Sequence, residues 1–259
     1  TAAPPYREGG VYVLAGGTGG IGTLLTRHLT ERFRATVVLL SRTGPGPEHH
    51  AERERARRHG GEVVRLRADV CDPAAVADAF ALAREQFGAV HGVFHLAMTF
   101  DDRPMAELTR AEFRSALAAK ADGTLALDAA AAAADPDFLV LFSSTGSFGS
   151  SSGNSGYTAA SACQDALGRY LDATRGYPVR VVNWGYWGAV GSGARDGLPA
   201  IFRALGIGAL APEEGLAELA GVLAGSEPQV MVIRAEPTAL AALADTAEAA
   251  DAAHSAAAA

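Results

Sequence analysis

VYVLAGGTGGIG, residues 11–22, is the stretch around which the rest of the chain is organised. Its apolar half predicts a buried strand over Val11–Ala15, and its glycines predict a turn that leads into a helix. A turn without side chains lets the backbone approach an anion, and the N–H groups at a helix start point toward it. Because Gly22 is followed by Thr23 rather than by Lys, a dinucleotide is favoured over a P-loop nucleotide, although glycines also mark ordinary turns.

Composition and charge narrow the class of protein. The 259 residues carry a net charge of −7, which argues against general nucleic-acid binding, and no apolar run is long enough to span a membrane. The cysteines, Cys71 and Cys163, indicate no disulfide framework and suit a reducing cytoplasm, and no metal-ligand spacing is present. Because the chain begins at Thr1 rather than Met, we expect it to be a piece of a longer protein.

Apolar segments alternate with helical patterns along the whole chain. After Val11–Ala15, strands are predicted at Thr36–Leu40, Glu62–Leu66, Val90–His95, Phe138–Ser143, Val179–Asn183 and Val230–Ile233. Because these runs do not alternate with polar residues, we predict an α/β fold: a Rossmann-like, doubly wound, parallel seven-stranded sheet with helices on both faces.

Segment boundaries follow from the same pattern. Residues 1–10 are predicted to be a linker, and residues 11–236 one domain with a glycine-rich lid at 188–208. The alanine-rich tail, 237–259, is expected to be a frayed helix or disordered. One long helix is predicted from the cap at Thr109 to Ala134, interrupted at most at Gly123.

Residues that directly follow the predicted strands should line one edge of the sheet, where such folds bind ligands. Arg42 follows the second strand, twenty residues after Gly22. An acid at this place binds the ribose hydroxyl of NAD, whereas a cation suits the 2′-phosphate of NADP; a merely solvated arginine is the alternative. Asp69 follows the third strand and is predicted either to accept a hydrogen bond from adenine or to cap a turn.

A second group of residues suggests proton transfer. Lys120 is the only lysine among 22 basic residues, which indicates either a site that needs a compact ammonium or a lysine left by chance. Ser144 ends the fifth strand, and Tyr157 follows it by thirteen residues, at the start of a helix. A nearby ammonium would lower the pKa of the phenol, and a serine hydroxyl could hold a carbonyl oxygen. The alternatives are a snorkelling lysine and a packed aromatic ring.

The motifs GGVYVLAGGTGGIG, LLSRTG, ADVCD, GVFHLA, LFSSTGSFGSSSGNSGYTAASA and VVNWGYWG together resemble the ketoreductase domains of modular polyketide synthases, a branch of the short-chain dehydrogenase/reductase superfamily. The resemblance covers about Gly9 to Arg234. It implies NADPH-dependent reduction of a β-ketoacyl group on acyl carrier protein. It also implies Tyr157 as proton donor, Ser144 as its partner on the carbonyl, and Lys120 as the cation that lowers the pKa of Tyr157.

By the same resemblance, the NADPH-binding residues are Gly16, Gly17, Thr18, Gly19, Gly20, Ile21, Gly22, Ser41, Arg42, Asp69, Val70, His95, Leu96, Ala97, Lys120, Tyr157, Trp184 and Gly185. Neighbouring synthase domains are implied as partners, including a structural subdomain that we expect to precede this segment. The end of the match is most similar to synthases that use separate, trans-acting acyltransferases.

One residue departs from the family pattern, and one loop bears on stereochemistry. Many polyketide ketoreductases carry Asn four residues after the tyrosine; here Ser161 stands there, and we expect activity to be retained with Ser161 in the catalytic group. Phe100-Asp101-Asp102 resembles the Leu-Asp-Asp signature of B-type enzymes, although it could be a solvated loop. A-type enzymes carry Trp where Gly149 stands. The resemblance implies a D-configured, usually R, 3-hydroxyl, with Trp187 also facing substrate.

Two other functions remain open from the sequence alone. A non-reducing scaffold or binding module of a synthase is suggested by Ser161 and by the expected absence of the structural subdomain. A free-standing alcohol dehydrogenase of the same superfamily is the third possibility.

Overall fold

The computed structural model describes residues 5–99, 103–149, 153–188, 190–191 and 198–243. Its strands are β1 (Val11–Ala15), β2 (Thr36–Ser41), β3 (Glu62–Arg67), β4 (Gly92–His95), β5 (Phe138–Ser144), β6 (Val179–Trp184), β7 (Ile207–Gly208), β8 (Gln229–Val232) and β9 (Arg234–Ala235). Its helices are α1 (Gly20–Phe33), α2 (Pro47–Arg58), α3 (Pro73–Phe87), α4 (Arg110–Ala118), α5 (Ala121–Ala134), α6 (Ser155–Thr174), α7 (Leu198–Ala204) and α8 (Pro212–Ala224).

Seven of these strands form one parallel sheet in the order β3-β2-β1-β4-β5-β6-β8. Side chains alternate between its faces: Tyr12 and Leu14 of β1 pack under α1, α2 and α8, whereas Val13 and Ala15 pack under α3, α5 and α6. All four are fully buried, which explains why the strand is apolar at every position. The predicted seven-stranded, doubly wound fold is confirmed.

Local capping signals set the helix starts that the sequence predicts. The Asp72 side chain accepts hydrogen bonds from the amides of Ala74 and Ala75, at 3.0 and 3.2 Å, ahead of Pro73. Thr109 and Glu112 form a capping box at the start of α4. These contacts lie within four residues of one another, so the sequence alone can reveal them.

The linker prediction for residues 1–10 is wrong for the stretch 6–10. Tyr6 is only 3% exposed, and its ring packs edge-on against Phe33 at a centroid distance of 5.1 Å. The Gly9 amide donates to the Phe33 carbonyl at 2.7 Å, and Arg7 pairs with Asp137 at 2.6 Å. One aromatic side chain therefore anchors an otherwise polar stretch to the core, because burying a ring outweighs the cost of ordering a few residues.

The predicted helix from Thr109 to Ala134 is two helices, and the break lies at Lys120 rather than at Gly123. The Lys120 amide bonds to the Leu117 carbonyl, three residues back, at 3.1 Å, which tightens the last turn of α4. Its carbonyl accepts from the Thr124 hydroxyl in the first turn of α5. The lysine side chain is bound to β5, so a tertiary contact decides where the helix is interrupted.

A short antiparallel ribbon, β7 with β9, joins the end of the predicted lid to the chain after β8, and the sequence analysis missed it. The chain is helical again over 237–243, which is one of the two forms expected for the tail, and the remainder of the tail lies outside the described residues. None of the described helices is both long and apolar enough to cross a lipid bilayer.

Candidate active site

The strand order reverses between β1 and β4, and a crevice opens at their carboxyl ends. It holds an open cavity of about 910 Å³. The sequence-predicted residues that line the cavity are Gly16, Thr18, Gly19, Gly20, Ile21, Gly22, Ser41, Arg42, Asp69, Val70, Leu96, Ala97, Ser144, Gly149, Tyr157, Trp184, Gly185 and Trp187. Those of them that directly follow strands, such as Ser41, Asp69 and Ser144, share one edge of the sheet as predicted.

The glycine turn is built so that its backbone closes tightly on itself. Gly16 has a φ of +76°, a conformation that L side chains rarely adopt, and a Cβ there would lie 2.5 Å from backbone atoms of Ala97. A Cβ on Gly22 would lie 2.3 Å from the Gly17 carbonyl oxygen. Gly19, the N-cap residue of α1, has no side chain with which to cap the helix. The first amides of the helix can therefore bind an anion from the crevice.

Arg42, Ser41 and Asp69 line the far end of the same cavity. Arg42 is exposed there, and the Ser41 hydroxyl is turned away to bond the Thr43 carbonyl. One oxygen of Asp69 accepts from the Cys71 amide at 3.0 Å, so of the two roles predicted for it, the structure contains the turn cap.

The proton-transfer group predicted from the sequence comes together on the other side of the crevice. Tyr157, in the first turn of α6, and Ser144, the last residue of β5, both line the cavity, and the Ser144 hydroxyl acts to lower the pKa of the phenol. Ser161 lies one turn further along α6 and is fully buried. Its hydroxyl faces the phenol and helps to lower the pKa of Tyr157, but its oxygen lacks a partner of normal hydrogen-bond geometry among the described residues.

Lys120 lies directly behind the tyrosine. Its Nζ is 5.7 Å from the centroid of the Tyr157 ring, and the side chain is 2% exposed. The ammonium donates to the Phe142 carbonyl on β5 at 2.6 Å and to Gln164 Oε1 on α6 at 2.8 Å. The alternative of a snorkelling surface lysine is therefore wrong: this amine is held in the interior by two acceptors.

The pKa values in this group differ from the simple expectation. Burial lowers the pKa of Lys120 to about 7, opposed by the charge of Asp165. Burial also raises the pKa of Tyr157, although Ser144 and Ser161 act in the opposite direction. The expected net lowering of the phenol pKa by Lys120 is thus not found, because the same desolvation disfavours both the phenolate and the ammonium. The phenol keeps its proton at neutral pH, as a proton donor requires.

Four predicted residues lie behind the cavity wall. Lys120 and Ser161 are two of them; Gly17 faces the core, where a Cβ would lie 2.7 Å from Leu39. His95 is fully buried at the end of β4, and burial together with the charge of Lys120 lowers its pKa to about 3, so it is a neutral part of the interior. Three residues that were predicted to control the configuration of the product, Phe100, Asp101 and Asp102, lie outside the described residues.

The described part of the predicted lid packs against the crevice. Gly191 lies against Gly20, so that a Cβ on Gly20 would be 2.4 Å from the Gly191 amide nitrogen. The ring of Phe202 on α7 stacks on Tyr186 at 4.5 Å. Trp184 and Trp187, in the same segment, pack edge-on at 4.9 Å. An aromatic contact therefore joins α7, in the predicted lid, to the segment that follows β6.

Gln164 is a part of the site that sequence reasoning did not identify, and Asn183 was predicted only to lie at the end of the sixth strand, without a role. Asn183 Nδ2 donates to Asp165 Oδ2 at 2.8 Å and to the Ser147 hydroxyl at 3.0 Å, which fixes the turn that follows Ser144. Amides inside a helix or strand carry no local signature. Only the spacing of Gln164 from Tyr157, which places both on one face of α6, could have suggested a role for Gln164.

Comparison with known proteins identifies the family of this chain. The KR domain family model matches residues 10–189. Polyketide synthase ThaG of Burkholderia thailandensis is 36% identical over 228 residues, which are 88% of this chain and 4% of ThaG. Polyketide synthase PksM of Bacillus subtilis is 29% identical over 90% of this chain and 6% of PksM. The chain therefore spans only a small part of the curated relatives that it matches.

A solved structure gives the same result for the fold. The crystal structure of a ketoreductase domain from the bacillaene assembly line has a TM-score of 0.84 and 29% identity, over 92% of this chain and 59% of that one. This structural similarity, the family match and the seven-stranded sheet all identify the same family. The chain belongs to the KR domain family, the ketoreductase domains of polyketide synthases, and has the short-chain dehydrogenase/reductase fold.

Proposed function

We propose that this domain uses NADPH to reduce a β-ketoacyl thioester on acyl carrier protein to the β-hydroxyacyl form. The observation that carries the proposal is the position of the Tyr157 phenol. It lines the crevice together with Ser144, whose hydroxyl acts to lower the phenol pKa, and has the buried ammonium of Lys120 behind it at 5.7 Å from the ring centroid. A positioned proton donor assists carbonyl reduction by protonating the oxygen as negative charge develops on it, and a second hydroxyl can hold the same oxygen.

The residues present fit a phosphorylated dinucleotide. The glycine turn would hold the pyrophosphate on the first amides of α1, where side chains are excluded. Arg42 would pair with a 2′-phosphate at the other end of the cavity, with Asp69 and Val70 beside it. Bound NADPH supplies the hydride that reduces the β-carbon.

The remaining roles belong to side chains of this chain. As the β-carbon is reduced, the electron pair of the C=O bond moves to oxygen, and Tyr157 donates its phenolic proton to that oxygen. The Ser144 hydroxyl donates a hydrogen bond to the same oxygen and orients it. The thioester is unchanged, so the product stays on its carrier. Lys120, held between β5 and α6, provides positive charge behind the phenolate that forms.

The first experiment is to incubate the protein with NADPH and a carrier-bound β-ketoacyl thioester and to follow NADPH absorbance and product configuration. We expect NADPH oxidation and a D-configured, usually R, 3-hydroxyacyl product. The B-type proposal rests on the resemblance of Phe100-Asp101-Asp102 and on Gly149, which lines the cavity with open space where A-type enzymes carry Trp. NADPH binding without oxidation would contradict the reductase and favour a scaffold; an L product would contradict the B-type proposal alone.

Partners follow from the same proposal. The relatives are polyketide synthases many times longer than this segment, so we propose neighbouring synthase domains, including a structural subdomain, as contacts. We also propose that the parent synthase is of the trans-acyltransferase type and works in the cytoplasm. A preference for small free alcohols over carrier-bound thioesters would instead indicate a free-standing alcohol dehydrogenase.

Replacing Arg42 tests the cofactor. Arg42→Ala is expected to weaken NADPH binding about ten- to a hundredfold and to leave NADH binding nearly unchanged, because a charge-assisted hydrogen bond contributes about 1.5–3 kcal/mol. Dissociation constants measured by titration with each nucleotide check this. The matched control is Arg58→Ala, which removes the same charge from an exposed position at the end of α2. Equal weakening for both nucleotides would argue against contact with a 2′-phosphate.

A further inference from the structure

The Lys120 ammonium donates hydrogen bonds to two acceptors. One is a backbone carbonyl on β5, and the other is a side-chain amide on α6. Nζ donates to the Phe142 carbonyl at 2.6 Å and to Gln164 Oε1 at 2.8 Å. Gln164 is fully buried, and its Nε2 lies 3.4 Å from the Thr124 hydroxyl oxygen on α5, which orients the amide so that its oxygen faces the lysine. A buried ammonium needs such acceptors, because it has lost its hydration.

The position of Gln164 on α6 places it in line with the catalytic tyrosine. Tyr157, Ser161 and Gln164 are spaced by four and three residues, so they lie one above another on a single face of the helix. Ser161 is too short to hold the amine, and its hydroxyl has no partner of normal geometry among the described residues. Gln164 reaches the amine from the next turn.

We propose that Gln164 is the positioning residue that holds the ammonium of Lys120 behind Tyr157. The role rests on the proposed reductase function, although the contact itself does not. Without the amide oxygen, the amine keeps only the Phe142 carbonyl among its described acceptors and is free to rotate away from the phenol. Position and protonation of Lys120 are then both expected to change.

The groups that face Lys120 from each packed element make the direction of the change clear. Asp165 and Tyr157 lie on α6, neutral His95 on β4, the Phe142 carbonyl on β5, and Thr124 on α5. Asp165 favours the charged amine and burial disfavours it. Loss of a neutral acceptor adds to the burial cost, so the pKa of Lys120 must fall further.

Because Lys120 is the only lysine in the chain, labelling with ¹³Cε-lysine gives one NMR signal whose titration reports this amine alone. Gln164→Met keeps the size of the side chain and removes the acceptor. We expect its titration midpoint to fall by about 1–2 pH units, the equivalent of one hydrogen bond to a charged group. Gln164→Glu, which keeps an acceptor and adds negative charge, is expected to raise the midpoint.

A rescue separates positioning from general damage. In the double variant Ser161→Asn/Gln164→Met, the amide oxygen returns one turn earlier, and we expect at least half of the lost shift to be recovered. Gln86→Met is the matched control: it makes the same chemical change at an exposed position near the end of α3, and it should leave the midpoint unchanged. Circular dichroism shows which variants are folded.

An unchanged midpoint in folded Gln164→Met would overturn the proposal. If that variant does not fold, an unchanged midpoint in Gln164→Glu does the same. The titration does not require enzyme turnover. The reductase function and the positioning role of Gln164 can therefore be contradicted independently of each other. A protein that oxidises no NADPH but shows both shifts contradicts the reductase only, whereas an active protein without the shifts contradicts the role of Gln164 only.

Discussion

Tyr157→Phe is expected to lower kcat about a hundred- to ten-thousandfold, the usual contribution of a general acid. Only the hydroxyl is removed, so the ring still packs 5.7 Å from the Lys120 amine and the fold should be kept. Burial keeps the phenol protonated at neutral pH, which makes it the donor, and the Ser144 hydroxyl alone is too weak an acid to replace it. NADPH oxidation with a β-ketoacyl thioester measures the loss, and nucleotide titration checks that binding changes little.

Tyr170→Phe is the matched control for that experiment. It removes the same atom from the same helix, at a side chain that is 64% exposed, and it should leave kcat unchanged. If Tyr157→Phe retained near-normal turnover while the control behaved as expected, Tyr157 would not be the proton donor. Unchanged turnover and product would favour the scaffold interpretation instead.

Gly22→Ala is expected to abolish measurable NADPH binding and to lower the free energy of unfolding by about 1–3 kcal/mol, the usual cost of overpacking. The new Cβ would lie 2.3 Å from the Gly17 oxygen and 2.5 Å from the Gly17 carbonyl carbon, closer than the 3.0 Å that real Cβ atoms keep. These are backbone atoms, so only a movement of the glycine turn can relieve the overlap. Nucleotide titration and urea unfolding measure the two effects.

Two alanine variants test whether the effect comes from that overlap. At Gly19, in the same turn, the nearest atom would be 3.8 Å away, so Gly19→Ala should preserve stability. At Gly221, on α8, a Cβ meets nothing within 4 Å, and Gly221→Ala should stabilise the helix by about 0.5–1 kcal/mol. If Gly22→Ala behaved like either of them, the turn would not be closely packed.

The fold and the strand-end residues of the site were predictable from sequence because their signals are local or periodic. Strand β1 is apolar at all five positions, which is required when both faces of a parallel sheet are covered. Asp72 and Thr109 cap helices through bonds to residues two or three positions away. Strand order in such folds brings Ser41, Asp69 and Ser144 to one edge, so the sequence alone is enough to assign these residues to one cleft.

The surroundings of Lys120 were decided only by tertiary structure. Gln164 and Phe142 are 44 and 22 residues away from it along the chain, and no periodic pattern relates such distances. Burial of Tyr6 and the break between α4 and α5 likewise depend on contacts with distant strands. The residues by themselves determined the sheet, the glycine turn and the identity of the lone amine, since each depends on near neighbours. Packing determined which buried acceptors hold that amine and how far its pKa is lowered, because desolvation depends on everything that surrounds a group in space.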